Sequence, residues 1–287
     1  MAGKAAVITG ASSGIGAATA EAFARRGWHV VLGARSLEAL EEIATRLRAR
    51  YGVGAIAMRC DVRHEDDVEA LVRTALERFG TLDALVANAG VGFYGRVEET
   101  TPSDFRELFD VNVVGVLNAI RAAVPIMRRQ RRGHIAIVGS AAGKRAWPFH
   151  GAYAATKFAL DGLTQALRAE LAGSGVTASL VLPANTRTPF FERARTVTRG
   201  YTPTPFGPVQ SAEAVAARIV RSVEHPAPEI DTQPLLRPAY VLATAFPRLA
   251  DAAARFYYSR TIKRLSSAEA PRSGRTEDAT TATTGTP

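Results

Sequence analysis

The chain has 287 residues and one cysteine, Cys60. A lone thiol cannot close an intramolecular disulfide and brings no partners for a metal cluster, so no metal site is expected. Cys60 ends an apolar run and reads as a small buried side chain. Long apolar runs are also missing: no stretch approaches the ~20 apolar residues of a membrane-spanning helix. No separate apolar segment precedes Lys4, so no secretory leader is expected, and the chain reads as soluble and cytoplasmic. Aromatic residues make up only 7% of the chain. None is interleaved with the one dense cationic cluster, Arg128, Arg129, Arg131 and Arg132, which leaves no platform for stacking bases. That cluster directly precedes Gly133, where a helix should end, and cations there complement the helix dipole. It reads as a solvated helix end, with no nucleic-acid partner expected despite a net charge of +9.

What the chain does hold is alternation. Hydrophobic residues amount to 47%, enough for one large, well-buried domain. Short strand-like runs stand at Ala5–Thr9, His29–Gly33, Ala55–Cys60, Ala84–Asn88, His134–Gly139 and Thr177–Leu182. Helical stretches lie between them, as in Ser36–Tyr51 with Leu37, Leu40, Ile43 and Leu47 at helical spacing. Strands alternating with helices imply parallel pairing by right-handed crossovers. The expected fold is α/β: a Rossmann-like, doubly wound parallel sheet with helices on both faces, in a single domain over residues 1–265.

Two patterns carry chemistry. Directly after the first strand comes Thr9-Gly10-Ala11-Ser12-Ser13-Gly14-Ile15-Gly16, then a helical stretch over Ala17–Arg26. Glycines there serve a tight turn, close backbone approach to a pyrophosphate and tight helix packing. The helix start offers free N–H groups to the anion, which predicts dinucleotide binding through Gly10, Ser12, Ser13, Gly14, Ile15 and Gly16. Further on, Tyr153 and Lys157 stand four residues apart, one turn of helix, with phenol and ammonium on the same face. A cation beside a phenol favours the phenolate and makes tyrosine a usable general acid or base. A plain solvated helix face has the same spacing.

Taken in order, Thr-Gly-x-x-x-Gly-x-Gly, Asn88-Ala89-Gly90 after the fourth strand, Ser140 after the fifth, and Tyr153-x-x-x-Lys157 resemble the short-chain dehydrogenase/reductase family. The resemblance covers about residues 3–190, and more loosely to about 225. It implies an oxidoreductase that interconverts a carbonyl and an alcohol by hydride transfer with a nicotinamide cofactor. In that reading Tyr153 exchanges the proton, and Ser140 holds the substrate oxygen. Lys157 lowers the tyrosine pKa and bonds the nicotinamide ribose, and Asn112 holds a water linking Lys157 to solvent. The other reading of Asn112 is a helix-interior asparagine satisfying backbone. The resemblance further implies that Asp61 and Val62 contact the adenine, with a helix N-cap as the plainer role of Asp61. Asn88, Ala89 and Gly90 would line the cofactor ribose, with Asn88 more structural than catalytic.

The second strand ends Val31-Leu32-Gly33-Ala34-Arg35, with no carboxylate where NAD binders hold the ribose 2′-hydroxyl. A guanidinium pairs with a 2′-phosphate in a forked contact, so Arg35 points to NADP(H); with Arg35 as an exposed helix-start residue, NAD(H) stays open. One segment departs from the family. Where Pro-Gly-x-Val-x-Thr is common, this chain has Pro183-Ala184-Asn185-Thr186-Arg187-Thr188. Pro183, Thr186 and Thr188 are expected at the nicotinamide, but a glycine with positive φ would make Ala184 costly.

Residues 187–210 read as a substrate lid without clear periodicity, holding Phe190, Phe191, Tyr201 and Phe206 among several prolines. Val91, Phe93, Tyr94, Trp147, Phe149, Phe190 and Phe191, with His150 nearby as a helix-start residue, favour an apolar or ring-containing alcohol or ketone. Ordinary core or lid packing accounts for several of them equally. A helix is expected from the N-cap Ser211 to about Glu224. A second helical region follows over about 239–265, and a disordered tail over 266–287. The 239–265 region interleaves Arg and Lys with Leu, Phe and Tyr, as a membrane-surface helix would, or one packed on the core or a sister subunit. Homodimers or homotetramers through the helices carrying Asn112 and Tyr153 follow from the resemblance. The alternative readings are a non-catalytic NADP(H)-sensing protein, from another class, and an NAD(H)-dependent dehydrogenase of the same family.

Overall fold

A computed structural model describes residues 3–203 and 207–269, the last four by backbone alone. Seven strands form one sheet: β1 (Ala5–Thr9), β2 (His29–Ala34), β3 (Ala55–Arg59), β4 (Ala84–Ala87), β5 (Gly133–Val138), β6 (Val176–Leu182) and β7 (Glu229–Asp231). Their order is β3-β2-β1-β4-β5-β6-β7, and every pairing is parallel. The sequence reverses direction between β1 and β4, so the carboxyl ends of those strands flank the crevice where such sheets bind ligands.

Helices cover both faces. Helices α3 (Glu65–Phe79), α5 (Gly115–Gln130) and α6 (Gly151–Glu170) bury Leu71, Ala119 and Leu160 on one side with Val7, Val31 and Ile135. Helices α1 (Gly14–Ala24), α2 (Leu37–Tyr51) and α8 (Ala212–Glu224) bury Phe23, Leu40 and Ile219 on the other with Ile8, Val30 and Leu32. Successive strand residues thus feed opposite cores, which is why these strands are apolar on both faces. Cys60 is buried, and burial pushes its thiol up to about 12, the state of an inert core residue.

Several boundaries move from those expected. Helix α1 starts at Gly14, so two of the loop glycines lie within its first turn. A short α4 (Pro102–Phe109), a π turn at Asp110–Val114 and α5 form one continuous helix. By length and mean hydropathy (1.4) this helix could cross a membrane, contrary to the reading that no run approaches a span. Its Val116, Ala119, Ala123 and Met127 are core residues, and that packing accounts for the apolar composition. Its end is the expected cationic one. Arg131 takes the left-handed cap position (φ 55), Arg128 donates to the Glu170 carbonyl, and Arg132 pairs with Asp83.

The segment 187–210, expected as a lid, is more ordered than its lack of periodicity implies. It contains α7 (Phe190–Arg193) and two parallel two-residue pairings, Thr186–Arg187 with Gln210–Ser211 and Phe93–Tyr94 with Arg195–Thr196. Phe206 lies outside the described residues. Ser211 caps α8 as expected, its hydroxyl accepting from Ala214 N at 3.2 Å. The second helical region is two helices, α9 (Arg237–Ala245) and α10 (Pro247–Glu269), separated at Phe246 and Pro247 because proline cannot continue a helix. Helix α10 takes in Ser266–Glu269, placed by the sequence reading in a disordered tail; residues 270–287 lie outside the described part.

At the amino end of β5, His134 is buried with Nδ1 2.9 Å from Thr177 Oγ1 and Nε2 3.1 Å from Ser222 Oγ. Burial pushes it down to about 4. Between that value and the ordinary ~6.5 the unfolded chain binds more protons than the folded one, so stability rises with pH in this window. Acidifying from neutral to pH ~4 is expected to cost about 3 kcal/mol through His134 alone. His134→Gln should flatten that part of the urea-unfolding profile; an unchanged slope would contradict the assignment.

Candidate active site

The site is built from the carboxyl ends of β1, β4, β5 and β6. Thr9 ends β1 and its hydroxyl accepts from Asn88 N (3.0 Å) and Ala89 N (3.1 Å). Asn88 returns the tie, its Nδ2 donating to Thr9 O (2.9 Å) and Gly10 O (3.2 Å). Asn88 is therefore a structural clamp between two strand ends. Gly10 and Gly14 have φ of +66° and +56°, open to glycine at little cost. A Cβ on Gly16 would lie 2.3 Å from Gly10 O, so that close approach requires glycine too. Half-buried Ser12 and Ser13 lead into α1, and Ile15 packs on the core below. Ser13, the N-cap, makes no side-chain cap bond, and the first turn of α1 has no acidic residue. Free backbone N–H groups and a helix dipole with no local counter-charge suit a pyrophosphate.

Arg35 stands exposed just after β2, before the N-cap Ser36, and has no ion-pair partner among the described residues. Asp61, after β3, is engaged: Arg63 Nε lies 3.0 Å and Nη2 2.5 Å from its carboxylate oxygens. The Arg63 contact holds Asp61 down to about 2. Asp61 is not the N-cap of α3, as its plainer reading had it; His64 is, because Asp61 instead turns the chain by accepting from Arg63 N. Val62 is buried against Gly115, and its carbonyl accepts from Asn118.

Ser140 follows β5 in extended conformation (φ −170), its hydroxyl accepting from Ala142 N at 3.1 Å. Tyr153, on the first turn of α6, hydrogen-bonds with Ser140. Lys157, one turn further, lies 5.6 Å from the Tyr153 ring centroid and donates to Val138 O at 3.1 Å. Ser140, Tyr153 and Lys157 thus lie together at the carboxyl end of the sheet. Electrostatics differ from expectation. Burial pushes the Tyr153 phenol up to about 12, the Ser140 bond pulling the other way, and burial pushes Lys157 down to about 8. In the protein chain itself desolvation is the largest influence on both groups. At neutral pH tyrosine keeps its proton, and lysine is mostly charged.

Asn112 is fully buried in the π turn. Its Oδ1 accepts from Val91 N (2.8 Å), and its Nδ2 donates to Val91 O (3.0 Å) and Thr156 Oγ1 (3.1 Å). The side chain is thus taken up by backbone and Thr156, as in the helix-interior reading. Thr156 in turn donates to Tyr153 O at 2.7 Å, so Asn112 braces the turn of α6 that carries the phenol. A Cβ on Gly90 would fall 3.1 Å from Asn112 Oδ1 and 3.8 Å from Lys157 Nζ, placing the Ala89–Gly90 turn beside both.

The loop after β6 closes the site. Pro183 O accepts from Ala141 N (2.9 Å), tying it to the Ser140 loop. Ala184 is not among the residues with positive φ, so the feared strain is absent. Thr186 is buried, donating to Ala184 O and accepting from Gln210, so its hydroxyl serves the loop itself. Thr188 packs over the phosphate loop, 3.1 Å from where a Gly14 Cβ would be. Five residues on, Arg193 Nη1 lies 3.2 Å from Ser13 Oγ, which puts a guanidinium at the open end of α1. No motif in the sequence marked Arg193.

The aromatic residues divide. The Phe190 ring lies 5.8 Å from that of Tyr153 and lines the site. Phe93 is buried with Leu108 and Ala152, while Tyr94 and Phe149 are buried with Tyr201 and α10. Several cleft candidates are thus packing. Phe149 is held at φ 69 with its ring stacked 4.3 Å from Tyr201. His150 is the N-cap residue of α6, its ring edge-on to Tyr94. Helix α10 joins this wall: Tyr257 Oη lies 3.3 Å from Tyr201 Oη, and its ring 6.0 Å from Trp147.

Comparison with known proteins matches residues 4–198 to the short chain dehydrogenase family. The chain is 36% identical over 248 residues to the uncharacterized oxidoreductase YxnA of Bacillus subtilis, covering 85% of this chain and 69% of that protein. It is 44% identical over 188 residues to glycine betaine reductase ATRR of Emericella nidulans, spanning 66% of this chain but only 15% of that much longer protein. Among solved structures, a short-chain dehydrogenase/reductase from Burkholderia phymatum in complex with NAD superimposes with a TM-score of 0.78 at 34% identity, covering 86% of this chain and 95% of that one. A short-chain dehydrogenase from Sphingobium yanoikuyae in complex with NADPH gives 0.72 at 29% identity, covering 86% and 96%.

Proposed function

The chain belongs to the short-chain dehydrogenase/reductase family, oxidoreductases acting on CH–OH and C=O groups with NAD(P), and we propose that it is an NADP(H)-preferring enzyme for an apolar or ring-containing ketone or alcohol. The observation that carries this reading is the triad of Ser140, Tyr153 and Lys157 beside an open, glycine-lined helix start. When bound, the cofactor supplies or accepts the hydride at the carbinol carbon. The protein does the rest. The Ser140 hydroxyl and Tyr153 phenol converge on one point, where they hold the substrate oxygen. Tyr153, protonated at neutral pH, is set to give its proton to that oxygen, which suits carbonyl reduction. Lys157 keeps a positive charge beneath the ring, and Asn112 with Thr156 holds the helix turn in place. Ala89, Gly90, Asp61 and Val62 would hold the nucleoside side, Arg35 the 2′-phosphate, and Pro183 and Thr188 the nicotinamide side, with Thr186 bracing that loop. Phe190 next to Tyr153 supports an apolar substrate.

Arg193 is added to the cofactor side as a lid-borne cation that would hold the pyrophosphate, next to Ser13 at the start of α1. Arg193→Ala is expected to raise the NADPH dissociation constant about tenfold, read by nucleotide fluorescence, because a charge-assisted contact contributes about 1.5–3 kcal/mol. An unchanged constant would remove the residue from that role. Exposed Val114 in the π turn, Leu117 on α5 and Phe158 on α6 support a homodimer or homotetramer through those helices. The direct test of the whole reading is a screen of aldehydes, ketones and secondary alcohols that follows NADPH absorbance, with Tyr153→Phe as the blank. Turnover equal in protein and blank for every compound would refute it.

A further inference from the structure

Helices α9 and α10 lie apart from the α5–α6 face and present their own apolar surface. On α10 Leu249 is 74% exposed and Phe256 63%, on α9 Leu242 is 56%, and Phe246 between the two helices is 58%. On α10 the division between faces is clear. Ala250, Ala254, Tyr257, Ile262 and Leu265 are the shielded side, the last three packing on the Tyr94–Phe149–Tyr201 cluster. Leu249 and Phe256, seven residues apart and so on one face, point away from it. Around them stand exposed Arg248, Arg255, Arg260, Lys263 and Arg264. Arg260 lies over the Phe256 ring at 5.4 Å. The one acid of the helix before Ser266, Asp251, is already paired with Arg145 at 2.5 Å.

We propose that this face docks on an anionic lipid surface, with Leu249, Phe256 and Phe246 entering the acyl boundary and the flanking arginines meeting the headgroups. Charge complementarity decides the occupant. A second copy would meet this face with the same face across a two-fold axis, since homo-oligomer contacts of that kind are self-complementary. Four arginines, Arg248, Arg255, Arg260 and Arg264, would then confront the same four, with no unpaired carboxylate among the described side chains of α10 to relieve them. A bilayer rich in anionic lipid supplies both what the apolar side chains need and the missing counter-charge. The chain's net charge of +9 adds long-range attraction to the same surface. Position gives the contact a use, and this consequence alone rests on the function proposed above. Tyr257, on the shielded side of α10, touches Trp147 before α6 and Tyr201 in the lid, so docking would set the mouth of the site beside the membrane from which an apolar substrate could enter.

The test is sedimentation of the full chain with vesicles of phosphatidylcholine alone and with 30 mol% (about one third) phosphatidylglycerol. Binding is expected to the anionic vesicles only, weakening at least about tenfold when salt is raised well above physiological strength. Leu249→Glu/Phe256→Glu, at exposed positions that leave the fold intact by circular dichroism, should abolish binding, and Arg248→Gln/Arg255→Gln/Arg260→Gln should weaken it about tenfold or more. NADPH affinity and turnover of a water-soluble ketone should be unchanged in both, which separates failure of docking from failure of the catalytic reading. Absence of binding by the wild-type chain, equal binding to both vesicles, or a dimer in light scattering that the Glu variant dissociates would each overturn the proposal.

Discussion

Tyr153→Phe is expected to lower turnover by about 10³-fold while changing NADPH affinity by less than about twofold, because positioned proton transfer contributes ~10²–10⁴ and the phenyl ring is retained. The substitution removes one oxygen. Ring contacts with Phe190 and with the Lys157 ammonium persist, and the loss is confined to the Ser140 bond and the transferable proton. A phenol pushed up to about 12 is a poor base at neutral pH yet a sufficient acid toward a nascent alkoxide, whose basicity is comparable to that of hydroxide (~15.7 for water). The direction of the shift therefore predicts a pH profile as well as a loss. Reduction should be flat through neutrality, where Tyr153 is protonated and Lys157 charged. It should then fall as pH rises through about 8, where Lys157 loses the proton that keeps a cation under the ring. Oxidation, which needs the phenolate, should rise over that same range before the lysine limb takes over. Steady-state rates in both directions from pH 6 to 10, beside NADPH titrations of the variant, check both statements. A flat reduction rate to pH 10 would remove Lys157 from its role, and a Phe variant within tenfold of wild type would remove Tyr153.

The parts of the site legible in the sequence are those imposed by backbone geometry at fixed spacing. Gly10, Gly14 and Gly16 follow from a turn with positive φ and a 2.3 Å clash that no other residue survives, and Tyr153 and Lys157 follow from one helical turn. The sheet was legible for the same reason, since strands buried on both faces leave continuous apolar runs between amphipathic helices. What depends on three-dimensional neighbours was not. Nothing near Arg193 in sequence foretells Ser13, 180 positions away in the chain. Ala184 looked strained because a glycine is common there, but the loop turns without positive φ, held by Thr186, Gln210 and the Pro183 carbonyl. A cation at helical spacing is visible in sequence, whereas the burial that raises the phenol is not. Most of the aromatic residues placed in the cleft belong to packing around Tyr201 and α10, which local composition cannot separate from a binding wall.

Arg35→Asp is expected to move the ratio of NADPH to NADH dissociation constants by about 10²–10³ toward NADH, since a charge-assisted contact of about 1.5–3 kcal/mol is lost and a repulsion is added. The strand end favours this outcome. Arg35 is exposed and has no ion-pair partner among the described residues, so its guanidinium is not committed elsewhere. The carboxylate at the end of the adjacent strand, Asp61, is locked to Arg63 and held down to about 2, so its charge is already offset and does not oppose a phosphate. Solved relatives bound to NAD and to NADPH share this fold, which leaves the choice to side chains at the strand ends and not to the sheet. Ionic strength gives an independent reading. The wild-type preference, if carried by an exposed cation, should shrink as salt screens it, whereas the Asp variant's NADH affinity should hardly respond, because a hydroxyl contact involves no second charge. Fluorescence titrations of both nucleotides at low and high salt separate the two terms. Unchanged relative affinities in the variant would leave Arg35 as a solvated helix-start residue and return the cofactor preference to other groups at the carboxyl ends of β2 and β3.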